Sequence, residues 1–258
     1  MSNLELVKKI RQITGAGMSD INKALAEANG DENKTIEILR KSGSKIAAKK
    51  ADRQIKEGAI AIARDDKKIA VVALGCETDF VARNQDFVQT VQDLAAELLR
   101  QGKDNFQTWA TDKIQNDLIV KIGENLQLAN FALLEGEIMD SYVHSNRKVA
   151  AVVILKGGSQ ELAKDIAMHV AAMAPKYLKP EDVPDDIVSK EKEIYTEQLK
   201  NEGKPEAMWE KILPGKLAKF YSEICLLKQI YIKDDKKTIE QLLQDNDASL
   251  EKYYYFSL

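Results

Sequence analysis

Cysteine is scarce in this chain of 258 residues, and the two present, Cys76 and Cys225, stand far apart. Such a pair is neither a disulfide framework nor the close spacing of a zinc site, and it suits a reducing compartment. An excess charge of one sign is lacking too. Lys and Arg number 38 against 41 Asp and Glu, for a net charge of −3, so the molecule as a whole is not a polycation built for phosphate backbones. No apolar run approaches the roughly 18 residues that would span a bilayer. Met1-Ser2-Asn3-Leu4-Glu5 has neither the basic nor the apolar region of a secretory signal. The expectation is a cytoplasmic chain without membrane association. A phosphate loop is missing as well: Gly15-Ala16-Gly17 has no Lys-Ser/Thr partner and no preceding strand. Direct nucleotide binding, metal and cofactor are therefore not expected.

What is present supports a fold. The chain is 44% hydrophobic, and its length suits two or three compact units. Residues 4 to 41 read as three short helices. The first carries Leu4, Val7 and Ile10. The second has Ser19 as its expected N-cap, with Ile21, Ala24, Leu25 and Ala28 at helical spacing and Asn29-Gly30 as its stop. The third is capped by Asp31. Lys41, Lys45, Lys49 and Arg53 then recur every four residues, which predicts a basic stripe on a separate linker helix. It is either a solvated face or a nucleic-acid contact, and the lack of interleaved aromatics weighs against the latter.

A weak internal repeat follows. Glu57-Gly58 opens the alternating run Ala59 to Ala63; a polar turn leads to an apolar strand, Ile69 to Leu74, and then to a helix with Phe87, Val91, Leu94 and Leu98. Later, Glu135-Gly136 opens Ile138, Tyr142 and Val143. A turn at Ser145-Asn146-Arg147 leads to Val149 through Leu155, and a helix follows with Leu162, Ile166, His169 and Val170. A hairpin and then a helix, twice, predicts two related α+β subdomains. Gln127 to Leu134 and Ser249 to Phe256 can each add a third strand. Between them, Val188, Tyr195 and Leu199, then Leu213, Leu217, Phe220, Ile224 and Leu227, mark two helices with a short heptad seam. Gly203-Lys204-Pro205 breaks them apart. Pro214 predicts a kink or a restart, because a helix-interior proline costs roughly 3 kcal/mol.

The two repeats differ at one corner. The first strand is followed by Cys76-Glu77-Thr78-Asp79-Phe80-Val81-Ala82-Arg83-Asn84, the second by only Gly157-Gly158-Ser159. The first copy thus carries a loop that its hairpin and helix did not require. Phe80 sits in it, before a helix expected from about Gln85. The ring is either a plug packed under its own helix or a probe aimed at a partner, since ordered loops on rigid scaffolds often carry function.

Leu74 to Asn84 resembles the signature of the elongation factor Ts family. So do Thr14-Gly15-Ala16-Gly17-Met18-Ser19-Asp20 with its continuation to Asp31, and Lys121-Ile122-Gly123-Glu124-Asn125, all in the family's order. The resemblance covers about residues 4 to 250. It implies an α+β fold with a three-helix ubiquitin-associated-like module and linker at 1–52 and a first core subdomain at 53–136. The second core subdomain would comprise 137–179 and 225–258, with an antiparallel coiled-coil hairpin inserted at 180–224. It implies a guanine-nucleotide exchange factor for elongation factor Tu, in its GDP-bound and nucleotide-free forms, and no enzyme. Thr78, Asp79, Phe80 and Val81 would dislodge the GTPase's Mg²⁺, Met18 would give the N-terminal module an apolar foothold, and His144 would approach the GTPase from the second repeat. Many members continue past the last strand into a further helix, where this chain has Tyr253 to Leu258.

Two other functions fit parts of the chain. The N-terminal module could bind helical or ubiquitin-like partners without exchange activity. Cys76 could be a nucleophile with His144 or His169 as its base, although a free cysteine at a strand end is usually a packing residue.

Overall fold

The computed structural model describes residues 3–258, apart from the side chains of residues 44–46. The fold is α+β, and its contacts group into two compact units: Met1–Glu135, Val143–Ala150 and Phe256–Leu258 form one, Gly136–Tyr142 and Ala151–Tyr255 the other. None of the described helices is long and apolar enough to cross a membrane.

The first unit opens with α1 (Asn3–Thr14), α2 (Met18–Glu27) and α3 (Glu32–Lys50). Val7, Ile10, Ile21, Leu25 and Leu39 make their common core. Asn29 and Gly30, both at positive φ (53° and 81°), turn the chain out of α2. The Asp31 carboxylate then accepts the Lys34 N–H at 2.8 Å and starts α3. Two expectations change here. The residue capping α2 is Gly17, not Ser19, and it makes no side-chain bond. The third helix does not end near residue 41; it runs for 19 residues, to Lys50, and takes in most of the basic stretch. Several cations here are engaged: Lys41 pairs with Glu37 one turn back, Lys50 donates to the Gly123 carbonyl, and Arg53, beyond the helix, pairs with Glu77. The Lys45 side chain lies outside the described residues.

Next come β1 (Glu57–Arg64) and β2 (Lys68–Cys76), an antiparallel hairpin in the register Ile60↔Ala73 and Ala61↔Val72. After them run α4 (Asp79–Arg83), α5 (Gln85–Gln101), α6 (Phe106–Lys113), a π turn (Ile114–Leu118) and α7 (Ile119–Ile122). β3 (Gln127–Glu135) then pairs antiparallel with the other edge of β2. α5 lays Phe87, Val91, Leu94 and Leu98 on Ala70, Val72, Leu74 and Cys76, with Phe106, Ile114 and Leu118 closing the cluster. Burying each of the large side chains contributes about 1.5–3 kcal/mol, so this layer holds β2, and the segment that leaves it, in place.

The second sheet has the order β4 (Ile138–Val143), β5 (Val149–Lys156), β8 (Ser249–Ser257). α8 (Gln160–Met173) is capped by the Ser159 hydroxyl, which accepts the Leu162 N–H at 3.1 Å. It packs Leu162, Ile166 and Val170 on Ala151, Val153 and Leu155. α9 (Asp185–Asn201) and α10 (Trp209–Ile224) follow, then the short hairpin of β6 (Ile230–Tyr231) and β7 (Asp234–Thr238), and α11 (Ile239–Asp245). Lys216 on α10 reaches Gln198 on α9 at 3.1 Å. α10 does not restart at Pro214. It runs through it, although the proline has no N–H to donate to the carbonyl one turn back and its ring crowds that carbonyl.

Candidate partner-binding site

Cys76 ends β2, and two residues later Thr78 takes extended backbone angles (φ −124°, ψ 154°) and becomes the N-cap of α4. Its hydroxyl oxygen faces the Val81 N–H at 3.4 Å. The segment after the strand is thus a one-turn helix rather than a plain turn, and this fixes which way its residues point. Ala82 is buried and Val81 packs on the core layer. Phe80 points the other way and is 84% exposed. The plug reading is therefore wrong for this ring. Asp79 and Arg83 flank it and pair across the turn at 3.4 Å.

The turn is held from outside α4. The Glu124 carboxylate accepts the N–H of Glu77 at 2.8 Å and of Thr78 at 3.0 Å with one oxygen, and the Thr78 hydroxyl at 2.5 Å with the other. Glu77 answers by accepting the Asn125 N–H at 2.6 Å. Asn125 is buried, and its side-chain amide donates to the Arg53 carbonyl at 3.1 Å. The motif Lys121 to Asn125 is thus the bracket that carries the Phe80 turn. No sequence signal pairs Glu124 with a residue 46 positions earlier; only the pairing of β2 with β3 brings the two together.

His144 is exposed at the start of the tight turn between β4 and β5, where its carbonyl accepts the Arg147 N–H at 2.8 Å. Arg147 holds a left-handed φ of 57°. Ala82, Arg83 and Val88 line one side of a cavity of about 410 Å³, with Ser145, Asn146 and Arg147 on the other. The helix of Phe80 and the turn of His144 therefore flank one recess. Met18 belongs to a different element, the first turn of α2, and is 52% exposed. It is not part of the three-helix core.

The enzyme reading fails on geometry. Cys76 is fully buried and its thiol points at the Thr78 carbonyl at 3.3 Å. Burial, helped by the nearby Glu124 carboxylate, pushes it up to about 12, so it stays a thiol at neutral pH and is no nucleophile. His169 is buried in the other unit, where its Nε2 lies 3.0 Å from Gln229 Oε1 and its Nδ1 accepts the Ile232 N–H at 3.3 Å. That pattern places the proton on Nε2. Burial lowers its pKa, so the ring is a neutral structural link.

Comparison with known proteins bears on the chain as a whole. Residues 77–258 match the family model described as Elongation factor TS. The chain is 42% identical over 263 residues to an elongation factor Ts from Deinococcus deserti, spanning 99% of each chain. It is 43% identical over 269 residues to one from a Hydrogenobaculum species, covering 98% of this chain and 97% of the relative. A third, from Psychromonas ingrahamii, is 43% identical over 253 residues, with 95% of this chain and 86% of the relative covered.

Proposed function

The chain belongs to the elongation factor Ts family and is thus a translation elongation factor; from that membership we propose that it is the guanine-nucleotide exchange factor of elongation factor Tu, acting by binding alone. It favours a GTPase state in which GDP and its Mg²⁺ are poorly held. Linkage makes this reciprocal: whatever factor the chain takes from GDP affinity, GDP takes from the affinity of the chain.

The observation that carries the reading is Phe80, an aromatic side chain 84% exposed on a helix anchored to a rigid sheet. An apolar ring held in water gains by burial in a partner, and a fixed base lets it do so with little loss of freedom. In this proposal Phe80 wedges into the nucleotide domain. Asp79 competes for hydrogen bonds there, and Thr78 and Val81 hold the wedge at its angle. Displacing the ligands of Mg²⁺, the largest local charge in a phosphate site, weakens GDP strongly. Met18 adds an apolar foothold from the N-terminal module, and His144 a contact beside the recess next to α4. The same reading treats residues 1–52 as a ubiquitin-associated-like module and linker and residues 180–224 as a coiled-coil hairpin. It makes 53–136 one core subdomain and 137–179 with 225–258 the other, and places the protein in the cytoplasm.

The test is release of a fluorescent GDP from elongation factor Tu with and without the chain. Faster release that saturates with the chain's concentration supports exchange. Binding without faster release would leave only an interaction module.

A further inference from the structure

The helix that carries Phe80 cannot orient itself. α4 has five residues, far below the length at which a helix is stable alone. Its direction is imposed at its N-cap, Thr78, and Thr78 is held by Glu124. A carboxylate only accepts. With one oxygen on two backbone N–H groups and the other on the Thr78 hydroxyl, it draws the hydroxyl proton toward itself. The remaining lone pairs of that hydroxyl are then left for the Val81 N–H, the cap bond of the helix. The bracket behind Glu124 is fixed in turn, because Asn125 is bound through its N–H to Glu77 and through its side chain to the Arg53 carbonyl.

We infer that Glu124 is a positioning residue for nucleotide exchange, acting through Thr78 on the direction of Phe80. This rests on the exchange reading of Phe80 given above. The chemistry calls for glutamate in particular. Glutamine keeps one oxygen for the two backbone N–H groups but turns an NH₂ toward the Thr78 hydroxyl, so the cap is weakened rather than lost. Aspartate is one methylene too short to serve both groups, and alanine serves neither.

The experiment compares the full-length chain with Glu124→Gln, Glu124→Asp, Glu124→Ala, Phe80→Ala and the double variant Phe80→Ala/Glu124→Ala. The readouts are fluorescent GDP release from elongation factor Tu across a range of factor concentrations, thermal unfolding, and amide hydrogen exchange at Glu77 and Thr78 in the free chain. Glu124→Ala should lower the maximal release rate by about tenfold, as expected for losing hydrogen bonds to a charged acceptor, with the half-saturating concentration unchanged. Glu124→Gln should restore much of that loss and Glu124→Asp little. In the double variant the loss of Glu124 should add nothing to Phe80→Ala, because both act in one device. The Glu77 and Thr78 amides should exchange faster in Glu124→Ala while the cooperative melt is retained. Losses that multiply in the double variant, or full release activity with those amides deprotected, would overturn the inference. If Glu124→Ala fails to fold, the ranking of Glu124→Gln above Glu124→Asp decides it, and equal activity of those two overturns it. A wild-type chain that does not speed release overturns the exchange reading itself and this inference with it, and the amide protection then reports only a structural clamp.

Discussion

A Cβ placed on Gly43 would stand 2.6 Å from the carbonyl oxygen of Asn116 and 3.1 Å from Val120 Cγ2. α3 therefore lies directly against the π turn and α7, which only a residue without a side chain permits. Gly43→Ala should destabilise the chain by about 1–3 kcal/mol, the cost of overpacking a close contact. Calorimetric unfolding checks it, and a variant that melts like the wild type would show that this contact can open freely.

The same contact bears on the N-terminal module. Val120 packs against the core of the three helices, and Ala47 of α3 belongs to the core layer of α5 and β2. Removing residues 1–52 strips both contacts and also the Lys50 bond to Gly123. The remainder should still fold, because Phe87, Val91, Leu94 and Leu98 keep their partners on β2. It should nevertheless melt at a lower temperature and bind elongation factor Tu more weakly. Circular dichroism and titration of the complex measure the two effects. Full exchange at limiting concentration would remove the module from the partner interface.

Phe80→Ala should cut GDP release steeply while changing the chain's own stability by no more than about 0.5 kcal/mol, as for surface positions without special contacts. Paired kinetics and melting curves decide this. Unchanged release would leave the exposed ring without a role, and collapse of the fold would mean that it is not a surface ring.

Parts of this were readable in advance for definite physical reasons. Ala59 to Ala63 and Ile69 to Leu74 declare a hairpin because two short apolar runs flank the polar turn Asp65-Asp66-Lys67, and both runs lie in β1 and β2. Thr78 to Asn84 stood out because the second repeat has no equivalent. Other features depend on contacts remote in sequence. The third helix was expected within residues 4 to 41, yet α3 runs on to Lys50, and Gly43 lets it pass close against Asn116. The helices between Phe106 and Ile122 carry no clear sequence signal, since their apolar residues are spaced around a π turn and fit no single period. The outward direction of Phe80 follows from the Thr78 cap and from Glu124, whose partner lies 46 residues away.

His169 supplies a pH dependence. Burial holds its pKa below the usual 6.5 in the folded chain, with the Gln229 bond opposing. The unfolded chain therefore binds a proton first as pH falls, and protonation pulls toward unfolding. The stability contributed by the neutral ring is complete above pH 6.5 and declines as pH drops from there toward the depressed folded value. His169→Gln should lose this slope. The difference in melting temperature between wild type and variant, followed from neutral pH into the acid range, should shift in favour of the variant as pH falls. A constant difference would show that the ring does not titrate on unfolding.

The loop between α9 and α10 should be replaceable. Residues 202–208 are exposed, and the bond from Trp209 Nε1 to the Lys204 carbonyl at 2.9 Å ties them only to their own hairpin. A short Gly-Ser turn there should leave the circular dichroism spectrum and Phe80-dependent GDP release intact. Loss of both would make the hairpin tip part of the essential fold.

Both native thiols are shut away: Cys76 and Cys225 are fully buried, and burial pushes Cys225 up to about 11. A maleimide dye at neutral pH should therefore pass over the wild-type chain and react only with a cysteine introduced on the surface, since the thiolate is the reacting form. Met18→Cys would then report docking of the N-terminal module from a single labelled position, on an otherwise native background. Incorporation of dye into the unsubstituted chain would reveal openings at the end of β2 or beyond α10 that expose these sulfurs to solvent.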